Sequence, residues 1–296
     1  NLHDQTDTTF GNVVKHSWSA QGALLAMVVD SPSISNALQL FDPATGVLRV
    51  LDTSDEDYAL LSWRKDSFDL AALREMKHAA KEDVSHVLLA WRNLDQPDPA
   101  KLIFEHAKSK KFPEEMFVTA GGVEWSKNGK ALYCDLKEWE KKPAGEKPKA
   151  EEKPEEESKK EDAPEKEQPD KKPAPKAPER KTLRESLDAD SNVEVWHSKD
   201  TLIMPKQKKM AGALKNPNRR AVWWLDSGKF VQLTTELTER VHIPRTGSHA
   251  VGSDRTPHER TGMFGPDLHD IYLINTKNGK RKRIVEAAKY QLNTSP

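Results

Sequence analysis

A tryptophan, a polar turn and an apolar strand recur in that order along the chain, and this recurrence constrains the fold more than any other feature. The segments SWSAQGALLAMVV (17–29), LSWRKDSFDLAAL (61–73) and VEWSKNGKALYCDL (123–136) align on Trp18, Trp63 and Trp125, which lie 45 and 62 residues apart. SHAVGSDRT (248–256) reads as a fourth, degenerate copy without the indole. Hairpin signatures follow these units. LQLFDPATGVLRVL (38–51) sets Asp42–Gly46 between two apolar runs, with Pro43 early in the turn and Gly46 at its end, as a tight reversal requires. VWWLDSGKFVQL (222–233) and DIYLINTKNGKRKRI (270–284) repeat the pattern, and HVLLAWRNLDQPDPAKLIFEH (86–106) is a looser copy. Repeats of about 40–50 residues with four short strands each are a β-propeller signature, because one blade cannot bury its own apolar faces and must stack on its neighbours. The sequence predicts an all-β fold: a partial β-propeller of about four blades, each a four-stranded antiparallel sheet. Two stretches compete with this reading. DLAALREMKHAAKED (69–83) and MPKQKKMAGALKN (204–216) have helical potential where a blade needs strand or loop.

One long segment is different in kind. From 140 to 190 Lys, Glu, Pro and Ala dominate, and aromatic and β-branched residues are nearly absent. Such a stretch buries too little apolar area to offset a chain entropy of about 1–2 kcal/mol per residue. Its scattered prolines also break any long helix. It is expected to be a disordered charged insert, which divides the chain into blades over 1–139, an insert over 140–190 and further blades over 191–296. A solvated loop insertion is the simpler reading of it, and a regulated docking tail the alternative.

Charge and cysteine use exclude several classes. Lys+Arg and Asp+Glu both number 47, so the basic excess of a nucleic-acid binder is missing and no nucleic-acid partner is expected. No apolar run approaches about 18 residues, so no membrane span is expected. KNGKRKR (277–283) reads as a solvated hairpin turn rather than a membrane anchor. Cys134 is the single cysteine, which rules out an internal disulfide and a cysteine-based zinc site. It argues against a disulfide-stapled module without fixing the compartment; a periplasmic or secreted setting is slightly favoured over the cytoplasm.

Chemistry-bearing motifs are sparse. A Gly-x-Ser-x-Gly elbow is absent, and in Gly247-Ser248-His249 the serine leads into a strand-like HAVG run rather than a strand-to-helix turn. His242, His249, His258 and His269, with Asp267 and Asp270, crowd one stretch, but at loop-like spacings without a His-Glu-x-x-His pair. Surface or turn imidazoles are expected there rather than a metal site. No phosphate-cradling loop occurs, and Gly121-Gly122 reads as a turn between blades. Trp223 and Trp224 are adjacent in a strand, so one is expected to pack between blades and the other to be more exposed. No catalytic, cofactor-binding or metal-ligating residue, and no cofactor, is expected in this chain.

Two segments carry a resemblance. SNVEVWHSKDTLIMPKQKKMAGALKNPNRRAVWWLDSGKFVQL (191–233) sets Trp196-His197-Ser198-Lys199-Asp200 and Gln207 ahead of a hairpin. SHAVGSDRTPHERTGMFGPDLHDIYLINTKNGKRKRI (248–284) has a small-residue strand, an aspartate, a loop, then Asp270-x-Tyr272-x-Ile274 and a Gly turn. Both resemble the propeller portion of bacterial members of the prolyl oligopeptidase family of serine peptidases. The resemblance implies a parent enzyme whose C-terminal α/β-hydrolase domain holds the Ser, Asp and His, while the propeller caps the active site and restricts entry to peptides or small flexible substrates. No position here matches a catalytic residue of that family. The chain is then expected to be the non-catalytic, C-terminally truncated propeller portion, an open ring, with the hydrolase domain of the same parent and a peptide substrate as partners. The alternative is a stand-alone propeller scaffold for protein–protein interaction, since fold alone does not give function.

Overall fold

Four antiparallel meanders follow one another in a computed structural model that describes residues 7–31, 35–78, 81, 83–109, 112–139, 205, 209, 217–235, 238, 240–244, 247–262 and 265–289. The segment predicted as a charged insert (140–190) and most of 204–216 lie outside these residues. The first sheet runs β1 (Val13–Trp18), β2 (Leu25–Val29), β3 (Asn36–Asp42) and β4 (Val47–Ser54), each strand pairing with the next. The second repeats the order with β5 (Tyr58–Trp63), β6 (Leu70–Met76), β7 (Ser85–Arg92) and β8 (Ala100–Phe104). The third contains β9 (Met116–Val118), β10 (Glu124–Trp125), β11 (Ala131–Glu138), β12 (Arg219–Trp224) and β13 (Lys229–Gln232). The fourth contains β14 (Arg240–His242), β15 (His249–Asp254), β16 (His269–Asn275) and β17 (Arg281–Ala288). The propeller architecture predicted from the repeats is therefore the observed one. No helix among the described residues is long and apolar enough to cross a membrane.

The hairpins form where turn chemistry dictates. Asp42 accepts bonds from the Ala44 N–H (2.9 Å) and the Thr45 hydroxyl (2.8 Å), and Gly46 closes the turn at φ +70° with its N–H on the Asp42 carbonyl. Helical potential in 69–83 loses to pairing. β6 is hydrogen-bonded on both sides, to β5 and β7, and its Leu70, Ala71, Ala72 and Leu73 are all buried.

Successive side chains of a strand face opposite ways, so each inner sheet feeds two cores. From β6, Leu70 and Ala72 enter the core shared with the first sheet, while Ala71 and Leu73 enter the one shared with the third. β11 does the same one junction later: Leu132, Cys134 and Leu136 face the second sheet, Ala131 and Tyr133 the fourth. The tryptophans latch these junctions. Trp63 Nε1 donates to the Ser17 carbonyl and Trp125 Nε1 to the Ser62 carbonyl, both at 3.0 Å. Each indole thus bonds the residue just before the corresponding tryptophan of the preceding sheet. Trp223 is buried toward the second sheet, and Trp224, on the opposite face and half-buried, donates to Thr276 of the fourth at 3.0 Å.

Two local features depart from the sequence reading. Gly121-Gly122 does not join blades. It lies between β9 and β10, which both pair with β11 and together form one interrupted inner strand. Residues 119–123 of that strand face only Cys134 and Asp135 of β11, and the excess bulges out. In the fourth sheet the inner strand is β14, and Ile243, just past it, occupies the position held elsewhere by tryptophan.

Candidate functional site

The ends of the inner strands meet around a cavity of about 670 Å³ at the junction of the second, third and fourth sheets. Ser62, Trp63, Arg64 and Lys65 line it from β5 and its turn, and Glu124, Trp125 and Ser126 from β10. Tyr133, Ile243 and Pro244 close the remaining wall. Its charges are partly committed. Arg64 pairs with Asp69 at 2.8 Å, and Glu124 with Arg220 at 2.7 Å. Arg220 reaches across β11, also bonding Asp135 (2.9 Å) and the Gly122 carbonyl (2.8 Å), which ties the bulge down. The hydroxyls are spent as well: Ser62 donates to the Val123 carbonyl, and Ser126 donates to Asn128 while accepting from the Ala131 N–H. Among the described residues no imidazole lines the cavity, so neither hydroxyl has a described base beside it. Among the described residues the buried Tyr133 hydroxyl has no hydrogen-bond partner, and burial pushes its pKa up to about 12, so the phenol stays a donor.

A second cavity of about 590 Å³ lies by the β6–β7 connection and the segment entering β9, lined by His78, Lys81, His106, Phe112, Met116 and Trp139 among others. Beside it His78 Nε2 and His106 Nε2 both meet the Ser85 hydroxyl, at 2.9 and 3.0 Å, and that hydroxyl donates to the Met76 carbonyl at 3.1 Å. With its proton on Met76, the serine accepts from both imidazoles. Burial, then the neighbouring His78, lowers the His106 pKa to about 4. Ser85 is fully buried, so this Ser–His contact is a structural bridge and not an exposed nucleophile. The sequence reading missed it because His78 and His106 belong to different connections, and only the closed second sheet brings them together.

The C-terminal histidines do not converge. His249 opens β15 and His258 lies beyond its far end. His258 bonds Asp270 at 2.7 Å, and Arg283 and the Ala287 N–H bond the same carboxylate, each at 3.0 Å. Burial raises the Asp270 pKa, but these three donors outweigh it and hold the group below the usual carboxylate range. His269 stands 3.7 Å from Asp267. His242 ends β14, paired with Val251. Among the described residues no three His, Cys, Asp or Glu side chains gather as metal ligands. Ser248 and His249 touch at 3.3 Å on the surface, and among the described residues no carboxylate is hydrogen-bonded to that imidazole. Trp196 to Asp200 lie outside the described residues.

This fold defines a β-propeller segment. Solved structures similar to it include the β-propeller domain of the Trilobed protease from Pyrococcus furiosus, 8% identical, with 92% of this chain and 58% of that one covered and a TM-score of 0.37. The acylaminoacyl peptidase of Pyrococcus horikoshii matches at 12% identity over 95% of this chain and 33% of that one, TM-score 0.35. The oligogalacturonate lyase of Vibrio parahaemolyticus matches at 10% identity, 94% and 56% coverage, TM-score 0.38. The chain thus spans 33–58% of the length of these structures. No protein-family model matches the chain, and no curated protein matches it.

Proposed function

We propose that this chain is the propeller portion of a serine peptidase of the prolyl oligopeptidase family, and that it restricts access to an α/β-hydrolase domain of the same parent. The observation that carries this reading is the behaviour of the two family-like segments: their described parts fold as blade strands, β12–β13 and β15–β17, joined to indole-latched sheets. The cavity of about 670 Å³ supports this reading, because it is sized for a short extended segment and not for a folded protein. Segment 140–190 enters this reading as an insertion into the β11–β12 connection, since β11 and β12 pair directly from Ala131↔Trp224 to Leu136↔Arg219. Chemistry belongs to the partner domain. The 296-residue chain alone should hydrolyse no peptide or ester and take no fluorophosphonate label, while the parent polypeptide should do both. Labelling of the isolated chain, or a parent with no reactive serine, would overturn the proposal, the second outcome favouring a scaffold.

A further inference from the structure

Among the described residues, eight of the nine exposed large apolar side chains lie on the two outermost sheets: Val14, Trp18, Val47, Leu48 and Val50 on the first, Leu273, Ile284 and Val285 on the fourth. On the first sheet Trp18 and Leu48 belong to a pattern that the chain uses twice more. Cross-strand register aligns Trp63, Leu70, Trp91 and Lys101 in one row of the second sheet. It aligns Trp125, Leu132, Trp223 and Phe230 in the third. These two rows are the faces that each sheet lays on its predecessor, and Leu70, Trp91, Leu132, Trp223 and Phe230 are buried there. The first sheet carries the equivalent row, Trp18, Leu25, Phe41 and Leu48. Phe10 lies edge-on against Phe41 at 4.9 Å and covers its centre. Both ends stay open: Trp18 and Leu48 are each 47% exposed, and Val50, one row along on the same face, is 58% exposed. Among the described residues the Trp18 indole N–H has no hydrogen-bond partner, whereas Trp63 and Trp125 each have a carbonyl.

We propose that the Trp18–Leu48 row is the seat of a further four-stranded antiparallel blade of the same polypeptide, whose inner strand offers a main-chain carbonyl to Trp18 Nε1–H. The junctions already present say what that blade must look like. Trp63 is received by Ser17 and the Ala26 paired with it, and Trp125 by Ser62 and Ala71. Where the receiving sheet has the bulkier Tyr133 paired with Glu124, the incoming residue is Ile243. An indole therefore requires a small side chain opposite it, since the interior has no spare volume. A second copy of this chain is the poorer occupant, because the matching position on its fourth sheet is Val251, paired with His242, in a row that ends on Lys282. The same-polypeptide assignment rests on the reading of the chain as part of a larger parent.

Hydroxyl-radical footprinting of the 296-residue chain and of its parent polypeptide tests this. In the chain alone Trp18 should oxidise severalfold faster than Trp63, and in the parent it should be protected to the level of Trp63. Trp18→Lys in the parent should lower the melting temperature as Trp63→Lys does. Equal oxidation of Trp18 in both proteins would overturn the proposal. So would protection in the isolated chain that rises with its concentration, which would identify a second copy as the occupant. A parent without a reactive serine but with Trp18 protected would sink the peptidase reading and leave this one standing.

Discussion

The junction between the second and third sheets and the junction between the third and fourth solve one packing problem with different materials. The former buries seventeen of the described residues in a continuous core, with Phe104 stacked on Phe230 at 4.6 Å and tilted against Trp223 at 5.8 Å. The latter buries seven among the described residues, has Ile243 where the others have an indole, and leans on polar contacts, with Trp224 Nε1 donating to the Thr276 carbonyl at 3.0 Å and Arg281 Nη2 to the Leu233 carbonyl at 2.6 Å. Ala71 opposite Trp125 and Tyr133 opposite Ile243 show size traded across the junction at similar total volume. Apolar area is what differs, so the first junction should be the mechanical centre of the chain. Trp223→Ala should cost about 3–5 kcal/mol in urea unfolding, against about 1–2 kcal/mol for the half-buried Ile243→Ala. Equal losses would erase the distinction.

Titration sharpens the same contrast, because the groups with depressed histidine pKa values belong to the larger junction. His86 Nδ1 donates across it to the Val118 carbonyl at 2.9 Å, and burial lowers its pKa. His106, at about 4, contacts Phe112 of that core. Both stay neutral in the folded chain at pH values where the unfolded chain, near the ordinary 6.5, is protonated. Stability should therefore fall as pH drops from 6.5 toward 4, by on the order of 2 kcal/mol. His106→Phe should flatten that slope in denaturation curves taken across the range, and an unchanged slope would remove His106 from the account. Cys134 sets the alkaline limit of the same core: burial pushes its thiol up to about 12, so stability should also decline above pH 9 as only the unfolded chain ionises.

The bulge in the third sheet separates two adjacent glycines. Gly122 has φ +65°, and a Cβ there would sit 2.4 Å from Asp135 Oδ2, in the cluster that Arg220 organises. A Cβ at Gly121 would meet nothing closer than 3.7 Å among the described residues, and the φ there is ordinary. Gly122→Ala should cost about 1–2 kcal/mol and Gly121→Ala almost nothing, measured as paired melting curves. Similar behaviour of the two would mean that the bulge is not held by the Asp135–Arg220 pair.

Much of this architecture was legible in the residues, for a physical reason. Trp18, Trp63 and Trp125 recur because each sheet presents the same row to its neighbour, and a recurring contact leaves a recurring letter. The Asp42–Gly46 turn was legible because its side-chain bonds are local. What stayed hidden was made by distance. His78 and His106 share Ser85 only after β6, β7 and β8 have paired, and Arg220 meets Asp135, Glu124 and Gly122 across a long connection. Gly121-Gly122 was misplaced because a bulge and a turn draw on the same residue. The fourth sheet lost its marker where Ile243 replaced the indole, so its inner strand went unread, and the degenerate SHAVGSDRT copy and the hairpin announced it.

The smallest effect is also the most discriminating among the three aligned tryptophans. Phenylalanine keeps most of the apolar area and removes only the indole N–H. Trp63→Phe and Trp125→Phe each strand a carbonyl, that of Ser17 or Ser62, and should cost about 1 kcal/mol beyond the lost area. Trp18→Phe strands nothing in this chain and should stay within about 0.5 kcal/mol of the starting protein. If all three substitutions cost the same, the latches contribute area alone, and the carbonyl that each indole finds on the preceding sheet follows from packing rather than causing it.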